Sequence, residues 1–189
     1  MSELDLLKSA DARLMALVDA LVGDDLASPS PCAGWDVRSM LSHTVQTMEL
    51  FSATLDGGPG PTEADVFSGD DVLGGDPKAT ARRIVERSHA AWGGVSDWNT
   101  PVTIVLGTVP AAQAIAVLTY STLVHSWDLA VAIGEKVDFT EAEAQLAEAV
   151  GGQLVPTMRP KGRFGPEVQA APDATPTQRV VAFSGRNPL

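Results

Sequence analysis

Residues 110–134 read PAAQAIAVLTYSTLVHSWDLAVAIG, and the fold turns on this stretch. Pro110 has the fixed φ that suits a first helical position, Gly134 suits a left-handed stop, and neither residue type occurs between them. Ile115, Leu118, Leu123, Val124, Leu129 and Val131 put apolar side chains on most sides, so the helix is expected at the centre of a helical bundle. One face resists that description. His125 has Ser121 at i−4, Thr122 at i−3 and Asp128 at i+3, a polar group on an otherwise core-forming helix.

Moving outward, Leu7, Ala10, Leu14, Leu17, Val18 and Leu21 recur at steps of three and four, which predicts a first helix over Leu4–Val22. Pro29, Pro31 and Gly34 break the pattern, and Asp36 is placed to cap a second helix with the stripe Val37, Leu41, Val45, Met48, Phe51 and Leu55, ending near Gly57. The segment 56–75, rich in Gly, Pro and Asp, reads as a long exposed loop of the kind that can cover a site. Asp76-Pro77 opens a third helix to about Trp92, where Gly93 and Gly94 stop it. The β-branched run Val102-Thr103-Ile104-Val105 before Gly107 predicts one or two short strands around a turn. Thr140 with Glu143 forms a capping box for a helix to about Leu154. The tail from Pro156 is expected to be extended, carrying a short helix from Thr175-Pro176 to Gly185 that packs back on the bundle. The fold class expected is therefore mainly α: a four-helix bundle with a short β-hairpin and a C-terminal tail.

At 189 residues and 44% hydrophobic composition the chain is long enough for one core and is read as a single domain, 1–189. Its formal charge of −11 repels phosphate backbones and anionic lipid, so neither nucleic acid nor membrane is expected as a partner. An N-terminus with Ser2, Glu3 and Asp5 lacks the basic-then-apolar pattern of a signal segment, and a cytoplasmic location is expected. The one cysteine, Cys32, excludes an internal disulfide and any multi-cysteine metal site. A thiol near a helix N-terminus can become acidic, but a small packed residue is the commoner role and is the reading adopted for Cys32.

Chemistry concentrates on two of three histidines. His43 lies beside the apolar stripe of the second helix and His125 on the polar face of the central one, so facing helices bring the two imidazoles towards one cleft. Neutral imidazole is a common zinc or nickel ligand, yet a catalytic site usually has about three protein ligands. Asp128 either supplies a third or accepts the other N–H of His125, and spacing does not choose. Packed or solvated histidines remain the plain alternative. Ser121 and His125 at i and i+4 lack the strained strand-to-helix elbow of a hydrolase nucleophile, and Gly57-Gly58-Pro59-Gly60 lacks a preceding strand and the lysine of a phosphate loop.

Cys32-Ala33-Gly34-Trp35-Asp36-Val37-Arg38 with His43 beyond it, and Leu123-Val124-His125-Ser126-Trp127-Asp128-Leu129-Ala130, together resemble an actinobacterial branch of metal-binding proteins in the DinB/mycothiol-dependent maleylpyruvate isomerase superfamily. The tail segments Phe164-Gly165-Pro166 and Phe183-Ser184-Gly185-Arg186-Asn187-Pro188 extend the similarity over nearly the whole chain. The resemblance implies a DinB-like four-helix bundle holding a divalent metal, zinc first and nickel second, between a histidine of helix two and an acid-xxx-His or His-xxx-His pair of a later helix. His43 and His125 take the histidine places. The chain departs at Ser121, which stands four residues before His125 where a carboxylate or histidine is expected. A hydroxyl is a poor zinc ligand, so the implied site needs Asp128, water or substrate to complete it, or has lost its ion. The function implied is a thiol (mycothiol)-dependent transferase or isomerase acting on a small molecule, as monomer or homodimer. The alternative is a non-catalytic small-molecule-binding bundle with a degenerate metal site.

Overall fold

The computed structural model describes residues 2–188. In chain order the elements are α1 (Glu3–Ala20), α2 (Val37–Asp56), a short α3 (Glu63–Val66), α4 (Pro77–Gly93), an antiparallel hairpin of β1 (Pro101–Ile104) and β2 (Gly107–Pro110), α5 (Ala111–Ala132), α6 (Glu141–Met158) and α7 (Pro176–Phe183). α5 packs on α1 and α2, and α4 packs on the same two helices, closing a four-helix ring; α6 lies against α5, and α7 against α6. The fold is mainly α with a small hairpin.

α5 is central because from Ala114 to Ala132 no residue of it is exposed. Ile115, Leu118, Leu123 and Leu129 are each at most 1% exposed. This is the one helix among the described residues long and apolar enough to cross a membrane, and 83% of its apolar window is buried inside the bundle, which accounts for its composition as core. The helix ends follow their capping residues. Asp36 accepts from the Ser39 amide at 2.8 Å, Asp76 from that of Ala79 at 3.0 Å, and Thr140 and Glu143 form their reciprocal pair. At Gly134 (φ +77) the chain turns left-handed, and the Glu135 amide reaches back to the Ala130 carbonyl at 2.8 Å.

Three expectations are corrected. α1 ends at Ala20, not Val22, and its last carbonyls find a cation instead of another turn: Lys78 Nζ donates to the carbonyls of Asp19 and Leu21, each at 2.8 Å. α6 does not stop near Leu154 but runs through Pro156 to Met158. Proline removes one backbone donor there, while burial of Leu154, Val155 and Met158 holds the last turn in place. The segment after α2 is not simply an exposed loop. It contains α3, capped by Thr62 and Asp65, and buries Val66 and Leu73 against the bundle.

Glu143 joins the first and sixth helices to each other. Its side chain is fully buried, takes a fork of bonds from Arg13 at 3.1 and 2.8 Å, and accepts from Ser9 at 3.0 Å while capping the Thr140 amide at 2.8 Å. Burial alone would raise its pKa, but Arg13 and the Thr140 amide hold it below the ordinary carboxylate value. Glu143→Ala is expected to cost about 2 kcal/mol, the usual range for losing charge-assisted bonds. A thermal melt should therefore fall by about 4–8 °C for a chain of this size.

Candidate functional site

Helical periodicity assembles a cavity of about 360 Å³ at one end of the bundle. α5 contributes Val117, Tyr120, Ser121, Val124 and His125, residues that share a stripe at steps of three and four. α2 contributes His43, Thr47 and Phe51 at steps of four, and α6 contributes Leu154 and Met158. The segment over α2 supplies a roof: the His43 ring packs between Trp35 and Phe67, with centroids 5.0 and 5.3 Å away. His43 and His125 meet edge to face with centroids 5.0 Å apart.

The tautomers of both rings follow from their partners. His43 Nδ1 lies 2.7 Å from the Val66 carbonyl oxygen, which can only accept, so Nδ1 carries the proton and Nε2 a lone pair. His125 Nδ1 lies 2.9 Å from Asp128 Oδ2, which likewise assigns the proton to Nδ1. Neither Nε2 has a hydrogen-bond partner among the described residues. Burial first, and then the neighbouring His125, push the His43 pKa down to about 3, so this ring is neutral at any physiological pH. Two buried imidazoles, each held from behind by an acceptor at Nδ1 and each with Nε2 unpartnered among the described residues, are the donor arrangement that suits a soft or borderline divalent cation. The residues present fit two ligands of such a site. Ser121 lines the same cavity and offers only a hydroxyl as a third.

Asp128 is brought beside His125, as expected, but its oxygens are committed. Arg186 Nε donates to Oδ1 and Nη2 to Oδ2, both at 2.7 Å, while Oδ2 also faces His125. Burial works against the carboxylate charge, yet Arg186 and then His125 keep Asp128 well below the ordinary range. Cys32 completes this group: its Sγ is 3.2 Å from Asp128 Oδ2 and 3.5 Å from Arg186 Nη2. Cys32, His125 and Asp128 place potential ligand atoms within 4.8 Å of one another, but the positive charge among them is already the Arg186 guanidinium. The thiol is pushed up to about 12, first by burial and then by the Asp128 charge. It is a packed thiol, and the helix dipole does not make it acidic.

Arg186 is the site residue the sequence reading missed. Its motif was quoted, but no periodicity links a residue 58 positions after Asp128 to that carboxylate. The link is made by two glycines. A Cβ on Gly185 (φ +90) would lie 2.6 Å from the Gly165 carbonyl oxygen, so the two tail segments cross in backbone contact only because both lack side chains. Arg159 fastens the crossing by donating to the Gly165 carbonyl at 2.8 Å and to the Phe183 carbonyl. Beyond α7 the Arg186 amide returns to the Val181 carbonyl at 3.0 Å, which turns the side chain back towards α5.

Comparisons with known proteins bear on the family and the fold. Residues 7–130 match the family described as mycothiol maleylpyruvate isomerase N-terminal domain, and the chain belongs to that family. An uncharacterized protein from each of two strains of Mycobacterium tuberculosis is 30% identical over 181 residues, covering 95% of this chain and 93% of the relative. The crystal structure of the mycothiol-dependent maleylpyruvate isomerase superposes with a TM-score of 0.65 at 18% identity, over 98% of this chain and 80% of that one. A histidine-to-alanine mutant of that isomerase gives 0.64 at 17% identity, over 82% and 70%. These solved structures share the fold.

Two outcomes test the site's construction. Arg186→Met leaves Asp128 buried without its cation and should cost about 3–5 kcal/mol in urea unfolding, whereas the double variant Arg186→Met/Asp128→Leu should recover most of that loss. In the native protein at pH 8, a thiol at about 12 holds about a thousandfold less thiolate than one at the ordinary 9.0. Iodoacetamide should accordingly alkylate Cys32 at least about a hundredfold more slowly in the folded chain than in urea, with the native rate still rising at pH 10.

Proposed function

We propose that the protein is a small-molecule transferase or isomerase that works with a divalent metal and a low-molecular-weight thiol, mycothiol by family analogy. His43 and His125 are its metal ligands through Nε2, and Asp128 orients His125 rather than ligating. The observation that carries this reading is the pair of free Nε2 atoms, each opposite an Nδ1 held by a carbonyl or a carboxylate. A metal bound there, zinc first and nickel second, would act as a Lewis acid that lowers the pKa of a thiol. The chain's own residues do the rest. Val66 and Asp128 fix the two imidazole orientations, while Trp35 and Phe67 limit water around His43. Leu154, Met158 and Val124 line the cavity with apolar surface for the organic part of a substrate. The proposal treats residues 1–189 as one domain, since α6, the tail and the segment after α7 supply walls of the same cavity, and it places the protein in the cytoplasm, where low-molecular-weight thiols are kept reduced.

A second reading has its own support. Ser121 occupies the position of a stronger ligand and Asp128 is committed to Arg186, a combination that suits a small-molecule-binding bundle with a degenerate metal site. Elemental analysis of protein made without a histidine tag separates the two. Close to one divalent ion per chain is expected in the wild type, with loss in His43→Ala and in His125→Ala and tighter retention in Ser121→Glu. Metal absent from the wild type but present in Ser121→Glu would favour the binding module, and retention unchanged in both histidine variants would remove these residues as ligands.

A further inference from the structure

The chain has 24 acidic side chains, yet among the described residues no Asp or Glu lines the cavity of His43 and His125. Besides the imidazoles, the ionisable nitrogen groups on that lining are the cationic Arg163 and Arg186. Most hydroxyls of the lining are spent elsewhere. Thr47 donates to the His43 carbonyl at 2.8 Å, and Ser184 donates to the Val181 carbonyl at 2.7 Å while accepting from Arg186 at 3.3 Å. The Tyr120 hydroxyl is buried against α6, where a Cβ on Gly151 would lie 3.5 Å from it. Cys32 Sγ meets His125 on the Nδ1 side, at 3.8 Å, and donates to Asp128 at 3.2 Å, so it stands behind the ring and not before Nε2. Ser121 is what remains, and its hydroxyl is neutral.

A divalent ion on the two Nε2 atoms would therefore keep its full double charge, because metal-bound imidazoles are neutral and the one carboxylate nearby, Asp128, is already matched by Arg186. An unbalanced charge in a buried place is costly. Zinc takes four donors in its usual tetrahedral shell, so half of the shell and all of the counter-charge are left to molecules from outside the chain. Water can fill the open positions but brings no charge. Two separate anions would each lose translational freedom on binding, whereas a second donor joined to the first arrives at a high effective concentration. The donor set of the cavity thus favours one ligand that brings two donors and negative charge together.

We propose that the ligand of this cavity is a chelating anion, with two oxygen or sulfur donors placed to close a five-membered ring on the ion, and that ligand and metal each strengthen the binding of the other. This rests on His43 and His125 as the metal ligands. Zinc per chain is measured by elemental analysis after equilibrium dialysis at a buffered free zinc concentration, so that complexes formed in solution do not enter. The dialysis is run without addition, with acetate as a one-donor anion, with acetohydroxamate as a two-oxygen chelator and with mercaptoacetate as a sulfur–oxygen chelator. In the wild type a chelator at about ten times its dissociation constant for the zinc-loaded chain should raise the apparent zinc affinity about tenfold, and acetate less than about twofold. The chelator with the larger effect identifies the donor pair. Ser121→Glu puts a carboxylate on the cavity stripe, so it should hold zinc more tightly without addition and gain less than about threefold from either chelator. Chelators that act on the wild type no more than acetate does overturn the inference, and they leave the metal centre standing where zinc uptake is still lost in His43→Ala and in His125→Ala. No zinc uptake by the wild type under any condition, or uptake unchanged in both histidine variants, sinks the metal centre and the chelate with it.

Discussion

The buried pair of Asp128 and Arg186 ties the site to the fold. A carboxylate on the central helix is fully buried, and its charge is tolerable there only because a guanidinium meets both of its oxygens at 2.7 Å. That guanidinium comes from the far end of the chain, after a helix, a tail and a glycine crossing have returned it to α5. Several local features follow from this requirement: the Gly165–Gly185 contact that lets the tail segments cross, the Arg159 bonds that fasten them, and the turn after α7 that aims Arg186 inward. The tail is thus a wall of the cavity and the source of its internal counter-charge.

One consequence is a division of labour between the charges. Because Arg186 supplies the cation, Asp128 stays ionised and accepts from His125 Nδ1, which leaves Nε2 on the cavity side. Burial, and then the same carboxylate beside it, hold the Cys32 thiol protonated as a donor to Asp128. His43 is oriented by other means, with a backbone carbonyl as its acceptor and burial keeping its ring neutral. The two imidazoles end with the same polarity although nothing in their sequence surroundings is alike.

The sequence carried the bundle and the histidines because both rest on local rules. The stripes of α2 and α5, the caps at Asp36, Asp76 and Thr140 and the stop at Gly134 all involve residues within one or two turns of each other. Periodicity also placed His43 and His125 on facing helices. What it could not carry depends on contacts distant along the chain. Val66 accepting from His43 was hidden in a segment whose Gly and Pro content reads as loop, and Arg186 meeting Asp128 depends on a crossing that composition does not encode. The end of α6 was misplaced for the related reason that Pro156 is a local stop signal and the burial of Met158 is a tertiary one.

The choice between the two roles open to Asp128 can be followed from helix geometry. Every Cα–Cβ bond in an α-helix leans towards its N-terminus, so a residue three positions later reaches back to the preceding side chain while that side chain leans away from it. Asp128 therefore meets His125 from behind, at Nδ1, and position 121 lies ahead of the ring on the cavity stripe. An acid at 121 would share the space in front of Nε2, whereas an acid at 128 fixes the direction in which Nε2 faces. The chain keeps the orienting acid and has a hydroxyl in the forward place, so the donor strength of the cavity is set by two imidazoles and by whatever the ligand itself brings.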